Sequence, residues 1–120
     1  MTRLSTLFAC VLSACIAHSA PPGPVIPPHA IAASVVDELE RAALAEDPDS
    51  ADSAWSSAHQ QFEQGLEPLL RARFAAHEVT SVEYGFGRVR SALDTGNAEE
   101  AVRRLGEQLA IMAAELQPQT

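Results

Sequence analysis

One row of ionisable side chains has the residue types and spacing to hold a metal ion. His59, Glu63 and Glu67 follow one another at intervals of four residues, so on a helix they lie along one flank. Glu83 lies next to apolar residues of a later helical stretch, where it is placed to face that row. Carboxylates with one imidazole suit iron or another divalent ion better than a metal that prefers thiolates. One hypothesis is therefore a metal site of His59, Glu63, Glu67 and Glu83.

The same residues also fit a solvated helix surface. A histidine four residues before a glutamate arises easily by chance in acidic helices, and Glu67 can pair with Arg71 one turn later. A metal site requires carboxylate oxygens and an imidazole nitrogen within about 2 to 2.5 Å of one point. Convergence of the four side chains therefore distinguishes the two interpretations.

The composition narrows the classes of function. The chain has 120 residues and a net charge of −8 with eight basic residues, which leaves room for one small domain. Nucleic-acid binding requires clustered Lys and Arg, so we expect no nucleic-acid partner. No serine is arranged with a histidine and a carboxylate in a recognisable nucleophile motif, and we expect a protein that is not an enzyme.

Apolar residues recur at helical spacing in four successive stretches, and β-branched residues are few. Four amphipathic helices with short turns predict an all-α fold, a small antiparallel four-helix bundle. The predicted core stripes, in chain order, are Ala32, Val35, Leu39 and Ala42; Ala51, Trp55, Ala58, Phe62, Leu66 and Leu69; Val79, Val82, Phe86, Val89 and Leu93; and Ala98, Val102, Leu105, Leu109, Met112 and Leu116.

Particular residues predict where these helices begin, bend and approach one another. Pro68 predicts a kink or break at residues 65–68. Gly85 and Gly87 each cost about 1 kcal/mol in a helix interior, so we expect a neighbouring helix to approach closely at both. Gly96 predicts a helix end. The predicted N-caps are Asp49 or Ser50 for the second helix, and Asn97, with Glu100 three residues on, for the last.

The N-terminal residues are typical of a secretory signal. Arg3 gives a basic start, and residues 4–17 are apolar or small without charge. The run is short for a membrane span, which needs about 20 apolar residues; a buried N-terminal helix is the alternative. Residues 18–28 hold five prolines, which predicts an extended, semi-rigid tether or an unordered tail.

Residues 12–15, LSAC, resemble the lipobox of bacterial lipoproteins. The resemblance implies cleavage before Cys15 and a thioether link from Cys15 to diacylglycerol. Cys10 fits less well because Phe8 stands where a small residue is wanted, and cleavage after Ala20 is hindered by Pro21. The predicted organisation is a signal peptide over 1–14, a lipidated cysteine and Pro-rich tether over 15–28, and a helical bundle over 29–117.

Two helical segments are similar to a known family of iron-uptake domains. They resemble the helical extracytoplasmic domain of bacterial high-affinity iron permeases and, more distantly, imelysin-like proteins, through Trp55, Phe62-Glu63, Glu67-Pro68, Glu83-Tyr84, Phe86, Val89-Arg90 and Ala92-Leu93. The permease's transmembrane helices and Arg-Glu-x-x-Glu motif are not found in this sequence, so the resemblance implies a stand-alone periplasmic module that receives or hands on a metal ion rather than a transporter.

The expected function combines these features. We expect a cell-envelope lipoprotein, lipid-anchored through Cys15 at the periplasmic face of the outer membrane, with a helical-bundle module that binds an envelope protein partner or acts as scaffold. The alternative is a periplasmic metal-binding accessory of an iron-uptake system.

Overall fold

The computed structural model describes residues 25–116 of the chain, and these residues are helical almost throughout. The helices are α1 (Pro28–Leu44), α2 (Pro48–Gln61), α3 (Glu67–Arg73), α4 (Ala76–Thr95) and α5 (Glu99–Glu115), and a π turn (Phe62–Leu66) joins α2 to α3 without a break. The predicted signal peptide, Cys15 and most of the predicted tether lie outside the described residues.

The helices form a four-membered bundle, because α2, the π turn and α3 act as one bent rod. Connections of two or three residues join consecutive members, so each runs antiparallel to the next. The first helix, α1, packs against α2 and α5, while α4 packs against α5 and the bent rod. The prediction of an all-α helical bundle is confirmed.

The core consists of the apolar stripes of the four members. The predicted residues of α1 and most of those of the other helices are buried, with Phe62, Phe86, Leu39, Leu66, Leu70, Leu105 and Leu109 the largest side chains that are fully enclosed. Within residues 25–116 no buried side chain is polar or charged. Because the hydrophobic contribution to stability is roughly proportional to the apolar area removed from water, packing of these stripes is the main source of the stability of the bundle.

The π turn shifts the register of the bent rod. The amide of Glu67 donates to the carbonyl of Phe62, five residues earlier, and Pro68 follows at the start of α3, where its missing N–H is tolerated. The extra residue rotates the following turn, so Leu70 is buried while Leu69 is 42% exposed. The π turn overlaps residues 65–68, where the sequence predicts a kink or break, and the prediction that Leu69 continues the core stripe is wrong.

The helix ends differ in part from the predicted caps. Asp47, rather than Asp49 or Ser50, caps α2: its side chain accepts from the Ser50 amide at 2.8 Å, because Pro48 fixes the first helical residue after it. This hydrogen bond lowers the pKa of Asp47. Ala98, rather than Asn97, precedes α5 and provides no side-chain cap. Gly96 ends α4 with φ of 76°, as predicted.

Close helix approach explains one of the two glycines of α4. A Cβ on Gly85 would lie 2.8 Å from Leu105 Cδ1 of α5, so the prediction for Gly85 is confirmed. A Cβ on Gly87 would meet nothing within 4 Å, so the prediction for Gly87 is wrong. Gly87 lies on the solvent side of α4, where no described helix passes.

None of the described helices is long and apolar enough to cross a membrane.

Candidate functional site

His59 is the centre of a half-buried cluster between α2 and α4. Its Nε2 lies 3.0 Å from Oε2 of Glu83 on α4, and its Nδ1 lies 3.3 Å from Oε1 of Glu63 one turn further along the bent rod. The His59 side chain is 22% exposed. Glu83 therefore faces His59, as expected, while Glu63 lies against the other ring nitrogen.

Aromatic rings hold the imidazole in place. Trp55 stacks on His59 with ring centroids 5.0 Å apart, and Phe86 presents its ring edge-on at 4.9 Å. Trp55 is fixed in turn, because its Nε1 donates to the carbonyl of Phe86 at 3.0 Å and the guanidinium of Arg90 lies 4.8 Å from its ring centroid. Arg90 also pairs with Asp52 at 2.8 Å. The cluster therefore links α2 to α4 through ring contacts and hydrogen bonds together.

Glu67 does not join this cluster. Its carboxylate accepts from Arg71 at 2.8 Å and 3.2 Å, one turn along the same rod, which is the pairing that the solvated interpretation requires. The structure thus brings together His59, Glu63 and Glu83 and leaves Glu67 with another partner. The π turn contributes to this separation, because it interrupts the four-residue spacing on which the row depends.

The arrangement around His59 is a Glu–His–Glu chain, in which Nε2 is hydrogen-bonded to Glu83 and Nδ1 lies within ion-pair distance of Glu63. The two ring nitrogens point away from each other and each faces a different carboxylate. A common coordination point would instead need both carboxylates beside one nitrogen. Among residues 25–116 no group of three or more His, Cys, Asp and Glu side chains is placed to hold a metal ion. Metal binding stays a prediction.

Replacing His59 tests what the cluster does for stability. We expect His59→Ala to lower the free energy of unfolding by about 1 to 3 kcal/mol, since each aromatic pair contributes about 0.5 to 1.5 kcal/mol and both carboxylates lose their partner. His59→Phe keeps the ring contacts and His59→Gln keeps one hydrogen bond, so each should lose less. Urea denaturation monitored by circular dichroism measures the free energy of unfolding of each variant. If all three variants were as stable as the parent protein, the prediction would be wrong.

A second surface, which we call the α1–α5 groove, was not predicted from the sequence. It has a volume of about 810 Å³ and follows both helices along most of their length. Its floor contains Ala32, Val36, Val102 and Gly106, and exposed alanines line its sides. The one sequence signal for it is alanine at solvent-facing positions of both helices, Ala33 on α1 and Ala110 and Ala114 on α5.

The rim of the α1–α5 groove is acidic. Asp37 and Glu40 of α1 and Glu99 of α5 line it, and none of the three has an ion pair or hydrogen bond through its side chain within the part of the chain that the structure describes. The one arginine on the rim, Arg103, is held by Glu100 and Glu107, each at 2.6 Å. The groove therefore combines an apolar floor with uncompensated negative charge.

Comparison of the chain with protein-family models, curated protein sequences and solved structures finds no match.

Proposed function

We propose that this protein is a cell-envelope lipoprotein, anchored by lipid on Cys15, whose helical bundle serves as a binding module. The α1–α5 groove supports the second half of the proposal, because this mostly apolar groove of about 810 Å³ remains open to solvent between two helices. Exposed contiguous apolar surface on a small soluble domain marks a site of interaction. The anchor rests on the LSAC sequence, and the bundle begins at Pro28, thirteen residues after Cys15.

The proposed function depends on the length of chain between Cys15 and the helical bundle. Residues 15–27 separate the lipid site from the first helix, and an extended chain spans at most about 3.3 to 3.6 Å per residue. The bundle would therefore stay within about 45 Å of the membrane surface and present its groove to other proteins of the same envelope compartment, on the periplasmic face of the outer membrane. Binding within a limited distance of a membrane is what a scaffold or accessory module requires.

Replacing each cysteine separately tests the anchor. We expect Cys15→Ser to move the protein from the membrane fraction to the soluble fraction and to abolish incorporation of labelled palmitate. Cys10→Ser is the matched control, since Cys10 leaves with the signal peptide on this proposal, and it should behave like the parent. Cell fractionation with labelled palmitate is the measurement. Unchanged membrane association of Cys15→Ser would contradict the anchor.

A second candidate function is that of a periplasmic metal-binding accessory of iron uptake. The contact between His59 and Glu83 at 3.0 Å favours it, since it places an imidazole and a carboxylate from two helices in reach of each other. A metal at this point would replace the proton between Nε2 and Glu83. Glu63 and Glu67 would then have to turn toward it from their present partners.

Calorimetric titration with ferrous, ferric, cupric and zinc ions tests this second function. If it is right, the parent protein binds at least one ion and the double variant His59→Ala, Glu63→Ala loses the binding heat. Glu46→Gln, which removes a carboxylate outside the cluster, should bind as the parent does. Identical heats for the parent and the double variant would exclude a site at His59.

A further inference from the structure

The α1–α5 groove has the dimensions of a single helix. Its lining runs from Glu99 to Ala114 along α5, which corresponds to about 22 Å at about 1.5 Å per residue. On α1 it runs from His29 to Leu44, an equal length of helix. An occupant of about 15 residues, or four helical turns, would therefore fill it from end to end.

The floor of the groove leaves space for large side chains of a bound partner. The backbones of α1 and α5 approach closely at its centre, where a Cβ on Gly106 would lie 3.4 Å from Val36 Cγ2. Alanines at one end of the groove, Ala33 of α1 with Ala110 and Ala114 of α5, leave room above the floor for bulky residues. Leu44, 75% exposed, extends the apolar surface at one end. Leucine-sized residues at helical spacing on a partner would fit over this apolar floor.

The charge of the rim selects the partner. Asp37, Glu40 and Glu99 lie without ion partners in the described chain beside the apolar floor, and the chain as a whole has a net charge of −8. A partner that places Lys or Arg beside its apolar stripe would satisfy these carboxylates, whereas an acidic partner would be repelled. Charge complementarity therefore points to a basic amphipathic helix.

Two other occupants fit this rim less well. A second copy of the chain would bring the same net charge of −8 to the contact. The residues of this chain outside the structure, 1–24 and 117–120, contain one arginine, Arg3, and no lysine. Neither occupant would place a cluster of basic side chains beside the carboxylates of Asp37, Glu40 and Glu99.

We propose that the α1–α5 groove binds an amphipathic helix of a partner protein, about four turns long, with an aliphatic stripe flanked by Lys and Arg. This inference deepens the proposed binding function and rests on it. It does not depend on the anchor, because binding in the groove and attachment at Cys15 are measured separately.

Fluorescence anisotropy with two designed peptides tests the proposal. Both have 15 residues and the same leucine stripe, and one carries Lys and the other Glu at the flanking positions. The protein is the mature form, purified in detergent from whichever cell fraction holds it, with protein-free micelles as the blank. We expect the basic peptide to bind at least about tenfold more tightly than the acidic one and to weaken as salt is added.

Variants of the groove identify the binding surface. Ala110→Trp should fill the groove and abolish binding, while Ala72→Trp, at an exposed alanine of α3, should leave it unchanged. Asp37→Lys with Glu40→Lys should reverse the preference between the peptides. Glu46→Lys with Asp94→Lys, which changes the net charge equally at residues that do not line the groove, should preserve it. Circular dichroism melting of each variant confirms that the bundle is folded.

Three results would overturn the proposal. Equal affinity for the two peptides would show that the rim does not select charge. Binding that survives in folded Ala110→Trp would place the peptide elsewhere. If the parent protein formed a concentration-dependent dimer and Ala110→Trp were monomeric, the occupant of the groove would be a second copy of the chain. Failure of the anchor would leave all of these measurements unaffected, and it would appear only in the fractionation of Cys15→Ser.

Discussion

Phe86→Ala should lower the free energy of unfolding by about 3 to 5 kcal/mol, the usual cost of removing a large aromatic side chain from a core. Phe86 is 1% exposed and lies at the junction of three rings: 4.9 Å from His59, 5.0 Å from Phe62 and 6.3 Å from Trp55 between centroids. Small domains are stabilised by only about 5 to 15 kcal/mol in total, so this single change removes a large share of the stability of the bundle.

The matched variant for this prediction is Phe86→Leu, which keeps most of the buried volume. It should lose less stability than Phe86→Ala because the cavity is smaller, although the edge contact with His59 disappears in both. Urea denaturation monitored by far-ultraviolet circular dichroism gives both values. A loss below about 1 kcal/mol for Phe86→Ala would contradict a core centred on this ring.

Gly85→Ala and Gly87→Ala should change stability in opposite directions, although the two residues are neighbours in one helix. An added methyl group at Gly85 would lie 2.8 Å from Leu105 Cδ1, and Leu105 is 1% exposed, so its side chain has little room to move. Overpacking of this kind costs about 1 to 3 kcal/mol. That cost exceeds the gain of about 1 kcal/mol in helix propensity, and we expect a net loss.

Gly87→Ala should instead stabilise the protein by about 0.5 to 1 kcal/mol. The added methyl group meets nothing within 4 Å, so only the gain in helix propensity remains. Thermal unfolding of both variants and the parent protein shows whether each substitution raises or lowers stability. Stabilisation by Gly85→Ala would show that Leu105 moves aside readily, and destabilisation by Gly87→Ala would show that an unrecognised contact covers that side of α4.

Helical periodicity is a strong predictor for this chain because each helix buries one narrow stripe. Val79, Val82, Phe86 and Val89 show it most clearly, since their alternating spacing of three and four residues is the geometry of a bundle seam and all four are buried. The residue type alone was sufficient to predict the helix end at Gly96, because few residues other than glycine adopt its positive φ of 76°. These features depend on residues near in sequence.

Features that depend on register or on two distant helices could not be predicted in the same way. The π turn places Leu70 rather than Leu69 in the core, because one extra residue per turn is not visible in a repeat of three and four. Whether Glu67 would pair with Arg71 or face His59 depends on that same turn. The α1–α5 groove depends on how closely two helices approach, which solvent-facing alanines alone do not specify.

We propose that the mature protein begins at Cys15 and is held to a membrane by lipid on that residue. Mass spectrometry of the N-terminal peptide, from protein purified out of its native envelope, tests this most directly. We expect a peptide that starts at Cys15 and carries a thioether-linked diacylglycerol. A peptide that starts unmodified at Pro21, or one that retains Met1, would contradict it.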